Sequence, residues 1–224
     1  MKCWFQTRCG RKDICSNLED CGACVRYNQM YLQTVEANIP GMLPLNHQLE
    51  KPKDPSSPDW QVYQNLYALD IQAVVESGRS IVIESTRCGN GKTTWAQRLL
   101  LKYLTTQLGK EKTGYFISLP QALFDIKKVI DSKEVLPYEE IFQTVKLLVL
   151  DDVGHKKYSE YEENWLLRVL SLRQMKGLST IYTMNSKSKI SDLIGDRLYS
   201  RIYTASEHFY LAESDKRGWP PKDF

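Results

Sequence analysis

What the sequence lacks narrows its class. No apolar run approaches the roughly 18–20 residues needed to cross a bilayer, and the start, MKCWFQTRCGRKD, has no continuous apolar region of the signal-peptide kind. A cytoplasmic protein without membrane contact is therefore expected. There is no internal repeat and no low-complexity tract, so a repeat architecture is excluded. A strong charge of one sign is also missing. Thirty basic against 27 acidic side chains leave +3, too little to establish a polyanionic partner, although Lys2, Arg8, Arg11, Lys12 and Arg26 gather in the first 26 residues. Beyond residue 24, cysteine is reduced to Cys88 alone.

What is present suits one domain of ordinary size with a small appendage. The chain has 224 residues, 42% of them apolar and 25% charged, enough to bury a sizeable core. Its other five cysteines, Cys3, Cys9, Cys15, Cys21 and Cys24, crowd the first 24 residues. A reducing cytoplasm disfavours a disulfide framework, so a metal explains them better. Thiolates bind Zn²⁺ tetrahedrally, and Cys21-Gly22-Ala23-Cys24 lets two sulfurs reach one ion. Cys9 and Cys15 are the nearest completing pair; an iron–sulfur cluster and unligated or redox thiols are the alternatives.

Composition shifts divide the chain into a cysteine-rich zinc-binding region (1–30), a helix and proline-rich linker (31–58), a core (59–214) and a tail (215–224). VRYNQMYLQTVEAN (25–38) predicts a helix stopped by Pro40 and Gly41, and five prolines among residues 40–60 predict an extended linker. Thereafter helices alternate with short apolar runs. Residues 60–77 read as one helix, 80–84 as a strand, 93–108 as a helix, 114–119 as a strand, and 120–132 and 138–145 as helices. Residues 146–153 read as a strand, 161–177 as a helix, 179–185 as a strand, 189–202 as one helix and 205–213 as a last short strand. That alternation implies an α/β fold, a parallel sheet covered by helices on both faces.

Chemistry concentrates in SIVIESTRCGNGKTTWA (80–96), a strand, a turn of small residues and a helix start. Such a turn points backbone N–H groups at an anion, and the helix N-terminus adds partial positive charge. Gly89, Asn90, Gly91, Lys92, Thr93 and Thr94 are the expected cofactor-binding residues, for ATP. Lys92 is to reach the β- and γ-phosphates and Thr93 to ligate Mg²⁺. Five residues before Gly91, where such loops usually have a first glycine, stands Thr86, expected to carry some conformational strain. Downstream, VKLLVLDDVG delivers Asp151 and Asp152 to the C-terminal end of a strand, where parallel sheets bind ligands. Asp151 is expected to hold Mg²⁺, usually through water, and Asp152 to polarise an attacking water. STIYTMN ends in Asn185, an amide suited to sensing the γ-phosphate. In LIGDRLYSRIY, Arg197 and Arg201 lie four apart on one helical face, surface salt-bridging being the plainer reading. Lys127, Lys128, Lys156 and Lys157 are candidate DNA contacts, though lysine pairs usually form a solvated face.

Loop, acidic strand end, asparagine and late arginine, in that order, resemble the AAA+ ATPases. EANIPGMLP, LVLDDVG, GLSTIYTMN and LIGDRLYSRI are similar to bacterial and phage replicative helicase loaders of the DnaC/DnaI type and to the IstB-type transposition ATPases. The resemblance covers about residues 36–205 and implies an AAA+ P-loop core without a C-terminal lid domain. It implies ATP hydrolysis, ATP-bound homo-oligomers in a ring or spiral, and single-stranded DNA and a hexameric replicative helicase as partners, the cysteine-rich start gripping the helicase. Arg201, followed by an apolar residue, becomes the expected arginine finger for a neighbour's site, with Arg197 second. Thr86, and Asp152 in place of the commoner glutamate, imply slow turnover. A transposition-accessory ATPase and a nucleotide-gated helicase-binding module without turnover are the alternatives.

Overall fold

The computed structural model describes residues 22–40, 55–108, 110, 113–132, 139–185 and 189–212. Five strands, β1 (Ser80–Ser85), β2 (Gly114–Ser118), β3 (Leu147–Val153), β4 (Ser179–Asn185) and β5 (Ser206–Tyr210), form one sheet in the order β2-β3-β4-β1-β5. Every neighbouring pair is parallel. Helices fill the crossovers that parallel strands require: α4 (Lys92–Thr106), α5 (Leu119–Ser132), α6 (Glu139–Thr144), α7 (Glu160–Met175), α8 (Ile190–Ile194) and α9 (Asp196–Thr204). Three more, α1 (Gly22–Glu36), α2 (Trp60–Ala68) and α3 (Ile71–Glu76), precede β1.

The strands read as continuous apolar runs because both faces of the sheet are covered. In β3, Leu147 and Val149 join Ile81, Ile83, Leu99 and Leu100 on the α4 side, while Leu148 and Leu150 join Val82, Trp165, Leu166 and Ile202 on the other. A capping box starts α7: the Ser159 side chain accepts from Glu162 N at 3.3 Å, and Glu162 Oε2 accepts from Ser159 N at 2.8 Å. Near its end the fully buried Arg173 donates to the carbonyls of Phe142 and Val145 (2.6 and 3.1 Å) and to Thr180 Oγ1 (3.0 Å), docking α6 on α7 and β4. Burial without a carboxylate partner lowers its pKa to about 10.

Two expected helices are each broken. The helix expected over 60–77 ends at Ala68, and Asp70 caps a new one, its Oδ1 accepting from Gln72 N and Ala73 N at 3.1 Å each. Lys102 Nζ donates to the carbonyls of Tyr67 and Leu69 (2.9 and 2.7 Å), so the break is held from α4. The helix expected over 189–202 is interrupted at Gly195 (φ 86°, ψ 146°). That backbone conformation is open essentially to glycine alone, and a Cβ there would also push aside the Glu163 carboxylate, 2.5 Å away. α1 also stops short, at Glu36, before Asn38 turns the chain at φ 56°. Its end packs on the sheet: Ala37 O accepts from Phe116 N (2.8 Å) and Asn38 Nδ2 donates to Phe116 O (3.0 Å), covering the outer edge of β2. Cys9, Cys15 and Cys21 of the expected zinc set lie outside the described residues; Cys24 falls in the first turn of α1.

Candidate phosphate-binding site

At the C-terminal edge of the sheet, Gly89, Asn90, Gly91, Lys92, Thr93, Thr94, Cys88, Asp152 and Asn185 enclose a cavity of about 360 Å³. Three chain segments meet there because β1, β3 and β4 are neighbours in the sheet, and Ser85 pairs with Asn185 across the strand ends. Gly89 (φ 74°) and Gly91 (φ 96°) take left-handed conformations that turn the loop from β1 into α4. The first turn of α4 then faces the cavity with backbone N–H groups that a helix leaves without intrahelical partners.

The loop is tied down by its own side chains. Lys92, 6% exposed, donates from Nζ to Arg87 O (2.8 Å) and Asn90 Oδ1 (3.2 Å). Asn90 is 1% exposed: its Nδ2 donates to Ser85 Oγ and, at 3.3 Å, to Leu211 O just after β5. Ala212 N in turn donates to the buried Asp59 Oδ1 at 2.6 Å. Thr86 does not carry the strain expected of it, since its φ is not positive, and its hydroxyl meets Tyr210 OH at 3.2 Å. The missing glycine is thus accommodated by an exposed residue leaning on β5.

The left-handed conformation falls instead on Asp152 (φ 60°), at a bulge between Leu150 and Val153 in the β3–β4 ladder. The bulge breaks the alternation of β3, and Asp152 lines the cavity. Asp151, 6% exposed, accepts on Oδ1 from Thr93 Oγ1 (2.9 Å) and Thr183 Oγ1 (2.6 Å). Burial raises its pKa; the Thr183 hydrogen bond opposes this, the charge of Asp152 adds to it, and Thr93 and Lys92 oppose it further. Thr183 escaped the sequence reading, although a polar residue two before Asn185 in an apolar strand shares its face. Asn185 Oδ1 is buried with no hydrogen-bond partner among the described residues.

Arg197 and Arg201 lie elsewhere. With Leu167, Ser171, Asp196 and Ser200 they line a cavity of about 450 Å³ between α7 and α9 that shares no residue with the first. Two of the four candidate DNA-contacting lysines are engaged within the fold, Lys156 Nζ at 2.8 Å and Lys127 Nζ at 3.2 Å from Glu162 Oε1. Among the described residues, no group of three or more His, Cys, Asp or Glu side chains could hold a metal, and no helix is long and apolar enough to cross a membrane.

A glycine-turned loop before a helix, with two acids and an amide at neighbouring strand ends of a parallel sheet, is the build of a P-loop nucleotide-binding core. Within that class the fold is the AAA+ one. The chain is similar to the DnaC helicase loader, with TM-score 0.59 and 22% identity over 75% of this chain and 98% of that one. DnaI gives TM-score 0.57 and 15% identity over 78% of this chain and 92% of that one. AMPPCP-bound DnaA from Aquifex aeolicus gives TM-score 0.59 and 17% identity over 77% of this chain but 52% of the DnaA chain, which this one spans only by half. The chain matches no protein-family model and no curated protein.

Proposed function

We propose that the protein is an ATP-hydrolysing helicase loader, which assembles on single-stranded DNA and places a hexameric replicative helicase there. The observation that carries this reading is the convergence of Lys92, Thr93, Asp152 and Asn185 on one cavity in a DnaC-like fold. Binding of the triphosphate exchanges the acceptors of Lys92, Arg87 O and Asn90 Oδ1, for phosphate oxygens. Mg²⁺ fits the Thr93–Asp151 pair, because hydroxyl and carboxylate already converge at 2.9 Å and a cation would offset the burial that raises the Asp151 pKa. When bound, the ion neutralises phosphate charge. Asn185, which lines the cavity, orients the attacking water, and a carboxylate oxygen of Asp152 takes the proton of that water as it attacks phosphorus and ADP leaves.

Arg201 completes the site of a neighbouring copy in a head-to-tail ring or spiral. Cys9, Cys15, Cys21 and Cys24 hold Zn²⁺ in the helicase-gripping region, a reading supported by their clustering in the sequence and tested by metal analysis of full-length protein purified without chelator. The ATP turnover of the full chain with single-stranded DNA tests the remainder. Lys92→Ala and Arg201→Ala should each abolish turnover, and an equimolar mixture should regain part of it, because one supplies an intact site and the other an intact arginine. Turnover in Lys92→Ala alone, or a mixture as dead as its parts, would reject the reading. Capture of the replicative helicase by the full chain tests the partner, and no capture with or without ATP would remove the loader role.

A further inference from the structure

Arg201 is held at two points by one side chain. Its Nη1 donates to Gln174 Oε1 at 2.7 Å, while Gln174 Nε2 donates to Arg201 O at 3.2 Å. The glutamine amide, reaching from α7, therefore grips both the guanidinium and the main chain of the same residue. Arg201 O is a last-turn carbonyl of α9, one of those a helix leaves without an intrahelical donor. Arg197, one turn earlier on the same helix and exposed, makes no hydrogen bond or ion pair among the described residues.

An arginine side chain loses substantial rotamer freedom when it is ordered. A guanidinium that must enter another copy's site gains from having that freedom removed beforehand. An amide suits the task better than a carboxylate, since it orients the guanidinium without cancelling the charge that phosphate is to meet. We propose that Gln174 is a positioning residue for Arg201, fixing its direction across the α7–α9 groove toward a neighbouring copy's nucleotide. This rests on the proposed role of Arg201 in trans. It also distinguishes the two arginines, because only Arg201 is pre-oriented.

The test is a double-mutant cycle on the full chain, read as ATP turnover with single-stranded DNA and as fluorescent-nucleotide affinity. Gln174→Ala and the shape-retaining Gln174→Met should each lower kcat about tenfold, with KM, nucleotide affinity and melting temperature little changed. In the Arg201→Lys background, which keeps a cation and residual turnover but lacks the guanidinium that Gln174 grips, the same substitutions should have little further effect, a non-additivity that a merely structural role would not produce. Equal losses in both backgrounds, or no loss in the parent background while Arg201→Ala remains dead, would overturn the role of Gln174. Full turnover in Arg201→Ala would overturn it together with the in-trans reading. A fall in kcat for Gln174→Ala but not for Gln174→Met would assign the effect to packing and overturn it as well.

Discussion

The hydroxyl of Thr183 serves both acids of the site. It donates to Asp151 Oδ1 at 2.6 Å and accepts from the main-chain N–H of Asp152 at 2.9 Å. One buried side chain on β4 thereby sets the direction of the Asp151 carboxylate and holds the bulge that presents Asp152.

Thr183→Val should keep the shape of this contact and remove both bonds. Groups that orient a metal's ligands are commonly worth 10–100-fold in metal affinity. Nucleotide affinity in the presence of Mg²⁺ should therefore fall by roughly tenfold or more, and affinity in excess chelator should be nearly unchanged. Titration of a fluorescent ATP analogue under the two conditions checks this.

The left-handed Asp152 sets stability against activity. A non-glycine residue in that conformation is strained by about 1 kcal/mol or more. Asp152→Gly should be about 1 kcal/mol more stable than Asp152→Ala, read from the urea midpoints, and both should abolish turnover. Asp152→Asn should abolish turnover with the smaller stability change. A Gly variant no more stable than the Ala variant would show that the bulge is not strained.

Glu162 supplies a pH dependence. Burial raises its pKa, but the hydrogen bond from Lys156, the Ser159 N–H and Lys127 more than offset this, lowering it from the ordinary 4.5 to about 2. A depressed carboxylate contributes stability that is fully present above its unfolded pKa and lost as pH falls through the folded one. The difference in urea midpoint between the parent and Glu162→Gln should be full above pH 4.5 and vanish toward pH 2. A constant difference across that range would remove Glu162 from the account.

Cys88 is an exposed thiol on the wall of the cavity formed by the Gly89–Thr94 loop, Asp152 and Asn185. Alkylation by N-ethylmaleimide, mapped to Cys88 by peptide mass, should block nucleotide binding, and prior Mg-ATP should slow the modification several-fold. Cys88→Ala should bind nucleotide after the same treatment. Equal modification rates with and without nucleotide would place the phosphates away from this wall.

Much of this architecture was legible in the sequence. The strands were visible because burial on both faces makes runs such as Leu147–Leu150 continuously apolar. The loop was visible because phosphate binding demands glycine, lysine and threonine at fixed spacing. The breaks at Asp70 and Gly195 were not, since the apolar periodicity runs through both. The first is held by Lys102 from another helix and the second by the nearness of Glu163, contacts that exist only in the folded chain. Arg173 carries no mark in the sequence of its buried place, its guanidinium ending among carbonyls from α6 and β4. Thr86 was misjudged for the opposite reason: the pattern suggests strain, but the loop places its left-handed turns at Gly89 and Gly91.

The tie between Asn90 and Leu211 has a consequence for synthesis of the chain. The two residues are separated by 121 positions. At about 5–20 residues per second, translation delivers the second roughly 6–24 s after the first. Through that interval the nascent loop lacks the carbonyl that anchors Asn90 and the tyrosine that steadies Thr86. The loop reaches its final set of contacts only when the last strand has closed against β1.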